Sequence, residues 1–218
     1  MSIVSQTAVT QPVALVPPAL ELPPVRHEEP TRKRWTREEY YRLAEQGWFQ
    51  NQRVELIDGE IIHLSPQSPH HSSGSDKIRA LLQQIFGDAF WVRMHLPLKH
   101  GDFSEPEPDV SVVKGTLEEH EDEHPTTAVL VVEVSRTSLK YDKTTKSLLY
   151  AAMAIPEYWV LDLANRNLIV HRDPVADQSN SFGTRYASIV ALGEDASVSP
   201  LEMPTASIPI HTMLPRRK

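Results

Sequence analysis

Apolar and polar positions fall along the chain in blocks whose period shifts between that of a strand and that of a helix. Two blocks, 109–113 and 129–135, are almost unbroken β-branched runs, and each predicts a strand buried on both faces. Each also carries one carboxylate: Asp109 opens its run directly after Pro108, and Glu133 interrupts Val129-Leu130-Val131-Val132 and Val134. Upstream, Thr36-Arg37-Glu38-Glu39 has the form of a capping box. It predicts a helix from 37 to about 46, with Tyr40, Leu43 and Ala44 at helical spacing and Gly47 as its stop. Asp58-Gly59 between apolar runs predicts a type I′ hairpin over 53–64. Ile78, Leu81, Leu82 and Ile85 mark a helix from about 72 to 86, with His70 and His71 just ahead of it. A strand over 90–100 contains Pro97, which suggests an edge or a bulge. Asp142 is a candidate cap for a further helix with Leu148, Leu149, Ala152 and Met153 on its apolar face; Lys146 and Tyr150 stand one above the other on it at i and i+4. Strands over 156–162 and 168–171 flank a turn at Asn165-Arg166-Asn167, and weaker strand signals follow at 186–191 and 207–210.

At 218 residues the chain suits one domain with a tail. Pro12, Pro17, Pro18, Pro23, Pro24 and Pro30 lie in a stretch without sustained period, so residues 1–33 are expected to be a proline-rich disordered leader and 34–218 the domain. The basic patch Arg32-Lys33-Arg34 between them reads as a solvated linker in preference to a phosphate contact. No run of eighteen apolar residues exists, mean hydropathy is −0.36, and the apolar stretch 12–24 lacks a basic start and a small-residue cleavage site; neither a membrane span nor a signal peptide is expected. The absence of cysteine excludes disulfides, thiolate catalysis and cysteine-based zinc sites, and it fits a cytoplasmic protein. The formal net charge of −7 argues against indiscriminate polyanion binding and leaves room for a locally basic groove.

Glu133 carries most of the chemical information. An ionised carboxylate taken out of water must be paired, hydrogen-bonded or bound to a cation, and two of them on neighbouring strands point to a shared divalent metal held by Asp109 and Glu133. The alternative is structural: Asp109 as a turn residue and Glu133 facing solvent where its strand ends. The helix after Glu133 must pack back on the sheet, which brings Lys146 within reach of both carboxylates. His71 reads either as a surface or capping residue or as a catalytic, phosphate-contacting one. The acidic run 118–124, with His120 and His124 four apart, lacks apolar support and ends at Pro125, so a solvated loop is expected there in preference to a metal site.

Taken as an ordered set, Glu55-Leu56-Ile57-Asp58-Gly59-Glu60, Pro108-Asp109-Val110, Val131-Val132-Glu133-Val134-Ser135, Asp142-x-x-x-Lys146-x-x-x-Tyr150-Ala151 and Pro156-Glu157-Tyr158-Trp159-Val160-Leu161-Asp162 resemble the bacterial Uma-two family of "putative restriction endonucleases", within the PD-(D/E)XK nuclease superfamily. The resemblance spans about 35–191. It implies an α/β, restriction-endonuclease-like core with a central mixed β-sheet flanked by helices. It also implies roles: Asp109 and Glu133 as ligands of Mg²⁺ or Mn²⁺ together with the Val134 carbonyl, Glu55 as a further acidic residue of the site, and Lys146 as the catalytic lysine. The chain departs from the superfamily pattern two residues after Glu133, where Ser135 stands in place of lysine; the resemblance implies that Lys146 on the following helix supplies that lysine. His71 and Tyr150 are the candidate substrate contacts. The activity implied is metal-dependent hydrolysis of DNA phosphodiester bonds by an endonuclease, with a homodimer as a plausible assembly for cutting two strands. Two readings stand beside it: a non-catalytic nucleic-acid or protein binding domain with vestigial carboxylates, and a hydrolase of a smaller phosphate ester.

Overall fold

The computed structural model of the protein describes residues 30–217, so nearly all of the expected leader lies outside the described residues. From Lys33 onward the chain forms one unit. Helix α1 (Arg37–Glu45) starts where the capping box places it: Thr36 accepts from the Glu39 amide, and the Glu39 side chain returns to the Thr36 amide. Strands β1 (Val54–Ile57) and β2 (Glu60–His63) form the hairpin, and positive φ at both Asp58 and Gly59 gives the turn its type I′ form.

Helix α2 (Pro69–Phe86) begins three residues earlier than its apolar periodicity predicts. Ser68 caps it and Pro69 occupies its first position, a pairing suited to a helix start because proline has no amide to satisfy there. His70 and His71 therefore belong to the first turn of the helix. Strand β3 (Phe90–Met94) is shorter than expected, ending where His95 turns to a φ of 52° ahead of Pro97. Strands β4 (Val110–Lys114) and β5 (Leu130–Ser135) are the two β-branched runs. The next helix is continuous over 139–152 but changes pitch: α3 (Leu139–Tyr141) passes through a π-helical turn at Asp142–Lys146 into α4 (Ser147–Ala152). Asp142 lies inside this helix and is not its cap; Ser138 precedes the first turn and donates to the Asp142 carboxylate at 2.6 Å. Strands β6 (Glu157–Asp162), β7 (Asn167–Ala176) and β8 (Thr184–Gly193) follow, the last two longer than expected because each pairs over nearly its full length with the other. A short pair, β9 (Ser197–Val198) and β10 (Ile208–Pro209), and helix α5 (Ile210–Met213) close the chain.

Six strands make one mixed sheet in the order β3-β4-β5-β6-β7-β8, antiparallel throughout except for the parallel β5–β6 pair joined by the 139–152 helix. On one face Ile78, Leu82 and Phe86 of α2 pack against Val110, Val112, Val132, Val134 and Trp159. On the other, Leu149, Tyr150 and Met153 pack against Val113, Val131, Tyr158 and Val160. Helices on both faces explain why β5 and β6 are buried at every position and are predominantly apolar.

Candidate active site

The β4–β5 ladder ends at the pair Val110 and Val132. One residue beyond it the strands diverge, and the two buried carboxylates, Asp109 and Glu133, stand at that fork. Each completes hydrogen bonding that the ladder no longer supplies. Asp109 Oδ2 accepts from the Val134 amide at 2.8 Å, and Glu133 Oε2 accepts from the Asp109 amide at 3.3 Å.

Lys146 reaches the fork from the π-helical turn. Its Nζ lies 2.9 Å from Glu133 Oε1 and 3.2 Å from Glu55 Oε2, and Glu55, on β1, is wholly buried with Oε1 lacking a partner among the described residues. One helical turn on, the Tyr150 hydroxyl donates to Glu133 Oε1 at 2.8 Å. The i and i+4 spacing predicts that the pair points one way, and in the structure both side chains converge on one carboxylate oxygen. π-turns inside helices frequently accompany functional sites; here the wider turn lets Asp142 and Lys146 both be buried in the same region.

His71 Nε2 is 3.1 Å from Asp109 Oδ2, and His95 Nδ1 is 3.4 Å from Asp109 Oδ1. The fork opens into a cavity of about 560 Å³ whose wall includes Glu55, His71, Glu107, Asp109, Glu133 and Lys146, with Arg53 and Arg136 supplying further positive charge. Tyr150, expected as a substrate contact, is absent from that wall; it is wholly buried behind Glu133. Val134 lines the cavity, while its side chain belongs to the core, which leaves its backbone as its contribution to the site.

The ionisation of the two carboxylates is driven apart. Burial pushes Glu133 well above the usual carboxylate range, with Asp109, Asp142 and Glu55 adding to the effect against the opposing charge of Lys146. Burial acts on Asp109 in the same direction, but the hydrogen bond and charge of His71 and the Val134 amide outweigh it and hold Asp109 below its ordinary value. Burial works to lower the Lys146 pKa; the charges of Glu133, Glu55 and Asp142 overcome it and hold the ammonium well above its ordinary value. Tyr150 is raised by burial and by Glu133, so it stays a phenol and a donor. Carboxylates split in this way, together with a buried lysine, are the pattern of acid–base and cation chemistry.

A divalent cation suits this set. Five carboxylates line the cavity (Glu55, Glu107, Asp109, Glu133, Asp142) against Lys146, Arg53 and Arg136, and the unpartnered Glu55 oxygen adds an unsatisfied acceptor. As they stand, no three His, Asp or Glu side chains among the described residues converge into a finished cage, because the Asp109 and Glu133 oxygens are engaged by amide, hydroxyl and ammonium donors.

His95 and Glu107 were not legible as site residues. His95 is brought in by the left-handed turn that ends β3, which no local pattern announces. Glu107 had one signal available, its place between Pro106 and Pro108 directly ahead of Asp109.

A family model described as "Putative restriction endonuclease" matches residues 37–210. The chain belongs to the Uma2 family. Among solved structures, one that resembles this Uma2 chain is a "putative nuclease belonging to DUF820" from Anabaena variabilis ATCC 29413; the match has a TM-score of 0.61 and 17% identity and covers 82% of this chain and 96% of that one. At that identity the likeness is one of fold. No match was found among curated proteins.

Proposed function

We propose that this Uma2 protein is a metal-dependent endonuclease that hydrolyses DNA phosphodiester bonds at the β4–β5 fork. The observation that carries the reading is the convergence of Asp109, Glu133 and Lys146, from three separate elements, at the wall of one cavity. Membership of a family of "putative restriction endonucleases" supports the substrate class.

Asp109 and Glu133, with the Val134 carbonyl, would hold Mg²⁺ or Mn²⁺, which when bound supplies Lewis-acid polarisation of a phosphoryl oxygen and an acidified water. The chain's own residues do the remaining work. Lys146 has three N–H donors; two address Glu133 and Glu55, and the third is left for a water or a phosphoryl oxygen in the cavity. Because Lys146 stays protonated, it stabilises charge developing on that oxygen without taking up a proton. The Tyr150 hydroxyl and the Asp109 amide fix the two oxygens of Glu133, and the Val134 amide and His71 orient Asp109. Arg53 and Arg136, on the same wall, would meet a nucleic-acid backbone that entered the cavity.

The test is cleavage of supercoiled and linear DNA with Mn²⁺, Mg²⁺ or EDTA, beside Asp109→Asn and Lys146→Ala. Nicking that needs the cation and disappears in both variants is expected. Cleavage that survives Asp109→Asn in a folded protein overturns the assignment, and inactivity of the wild type under every condition favours a binding role.

A further inference from the structure

A second cavity, of about 710 Å³, shares no wall residue with the one at the carboxylate fork; it is walled by Trp91 and Arg93 of β3, by Arg37 and Tyr41 of α1, and by Lys99 and the loop carrying His120 to His124. Its distinctive member is Arg93. The side chain is 2% exposed; Nη2 donates to the Pro97 carbonyl at 2.9 Å, while Nε and Nη1 have no partner among the described residues. Its guanidinium sits 4.6 Å from the centre of the Trp91 ring, which in turn stacks on His120. No carboxylate among the described residues forms an ion pair with it. The neighbouring cations are committed elsewhere, Arg37 to Glu105 and Lys99 to Glu123 at 3.3 Å.

A guanidinium removed from water with neither counter-charge nor full hydrogen bonding is costly, and burial alone pushes Arg93 down to about 10. Such a group beside a cavity calls for an anion with several acceptor oxygens. The acids on the same wall, Glu121, Asp122 and Glu123, are exposed and well solvated, so they do not discharge Arg93; they stand at the rim as competitors.

We propose that this cavity is an anion site in which Arg93 receives a phosphoryl group. A phosphoryl group presents three oxygens and up to two charges, enough to occupy the idle Arg93 donors and to draw Lys99 from its exposed carboxylate. The volume exceeds what an isolated phosphate fills, leaving room for the group that bears it. The site needs neither Asp109 nor Glu133 and goes beyond the nuclease reading.

Calorimetric titration with inorganic phosphate, against sodium chloride at matched ionic strength, tests it on wild type, Arg93→Met and Asp109→Asn. Wild type and Asp109→Asn are expected to bind phosphate alike and Arg93→Met at least tenfold more weakly. Because Arg93→Met deletes an uncompensated charge, its thermal midpoint without phosphate should not fall below that of wild type; should it fail to fold, Arg93→Lys, which keeps the charge and loses the planar fork, serves instead and should bind several-fold more weakly. Neutralising the rim with Glu121→Gln, Asp122→Asn and Glu123→Gln together should tighten binding. A second arm uses a single-stranded DNA oligonucleotide with a 5′-phosphate or a 5′-hydroxyl on the Asp109→Asn background. Arg93-dependent preference for the first identifies a terminal phosphate, equal Arg93-dependent binding identifies the backbone, and independence from Arg93 leaves the free anion as the ligand. Phosphate binding that is absent in wild type, or undiminished in the folded Arg93 variant, overturns the proposal. Cleavage that survives Asp109→Asn while phosphate binding still depends on Arg93 would instead strike the nuclease reading alone.

Discussion

Lys146 and Glu133 face each other at 2.9 Å across the boundary between the 139–152 helix and the sheet, both almost completely buried, with Glu55 completing the contact at 3.2 Å. Among the described residues the single ammonium is the cation paired with both carboxylates; their other partners are neutral, the Tyr150 hydroxyl and Asp109 amide on Glu133 and the Glu107 amide on Glu55. Removing it leaves charge stranded in the interior, a change that typically costs about 3–5 kcal/mol. Lys146→Ala should therefore lose both cleavage and a large part of its resistance to urea. Adding Glu55→Gln should recover stability without recovering cleavage. If Lys146→Ala unfolds at the wild-type urea concentration, the buried triad is not the electrostatic unit described above.

Tyr150 touches Glu133 and lies behind it, out of the cavity, which separates two roles that cleavage rates alone would confuse. Tyr150→Phe removes one hydrogen bond to a charged group, a loss of about 1.5–3 kcal/mol. A positioning role predicts that kcat falls while KM for DNA stays near wild type. A rise in KM at constant kcat would return Tyr150 to the role of a substrate contact.

A cation drawn to the carboxylate excess should stabilise the fold as well as serve the reaction. A ligand present at a hundred times its dissociation constant stabilises by about 2.7 kcal/mol. Mn²⁺ should raise the thermal midpoint of the wild type, and EDTA should reverse the effect. Asp109→Asn keeps an acceptor for the Val134 amide and removes the charge, so it should fold and lose the response. A midpoint that rises equally in Asp109→Asn would place the cation elsewhere.

The α/β fold and most of its elements were legible because their signals are local. Thr36 and Glu39 cap α1, Asp58-Gly59 turns the hairpin, and the runs at 110–113 and 130–134 are apolar apart from Ser111 and Glu133 because helices cover both faces of the sheet. Lys146 and Tyr150 were legible as a pair because their spacing sets their common direction. What escaped depends on tertiary context. Ser68 and Pro69 start α2 ahead of its apolar stripe, so the first turn carries His70 and His71 while its burial begins only later. The π-turn places Asp142 inside a helix whose periodicity assigns it to the cap. His95 meets Asp109 only because β3 breaks into a left-handed turn, and Tyr150 lies behind Glu133 by virtue of packing against Tyr158, which i and i+4 spacing cannot reveal.

His171 supplies a pH dependence separate from the site. It is buried on β7, with Nδ1 3.3 Å from the Tyr158 carbonyl, its ring near Tyr158 and Tyr186, and Nε2 without a partner among the described residues. Burial lowers its pKa from 6.5 to about 4, with the carbonyl contact opposing. Between those values the unfolded chain binds a proton that the folded chain refuses, so stability rises with pH across the window. The contribution is fully present above about 6.5 and is lost progressively as pH falls toward 4, amounting to roughly 2–3 kcal/mol. His171→Phe keeps an aromatic ring between the two tyrosines and cannot titrate. Its unfolding free energy, measured by urea denaturation from pH 7 to pH 4, should fall less steeply than that of the wild type, with the two curves converging or crossing at the acid end. Parallel curves would mean that His171 accepts its proton in the folded state and that the acid sensitivity resides in other groups.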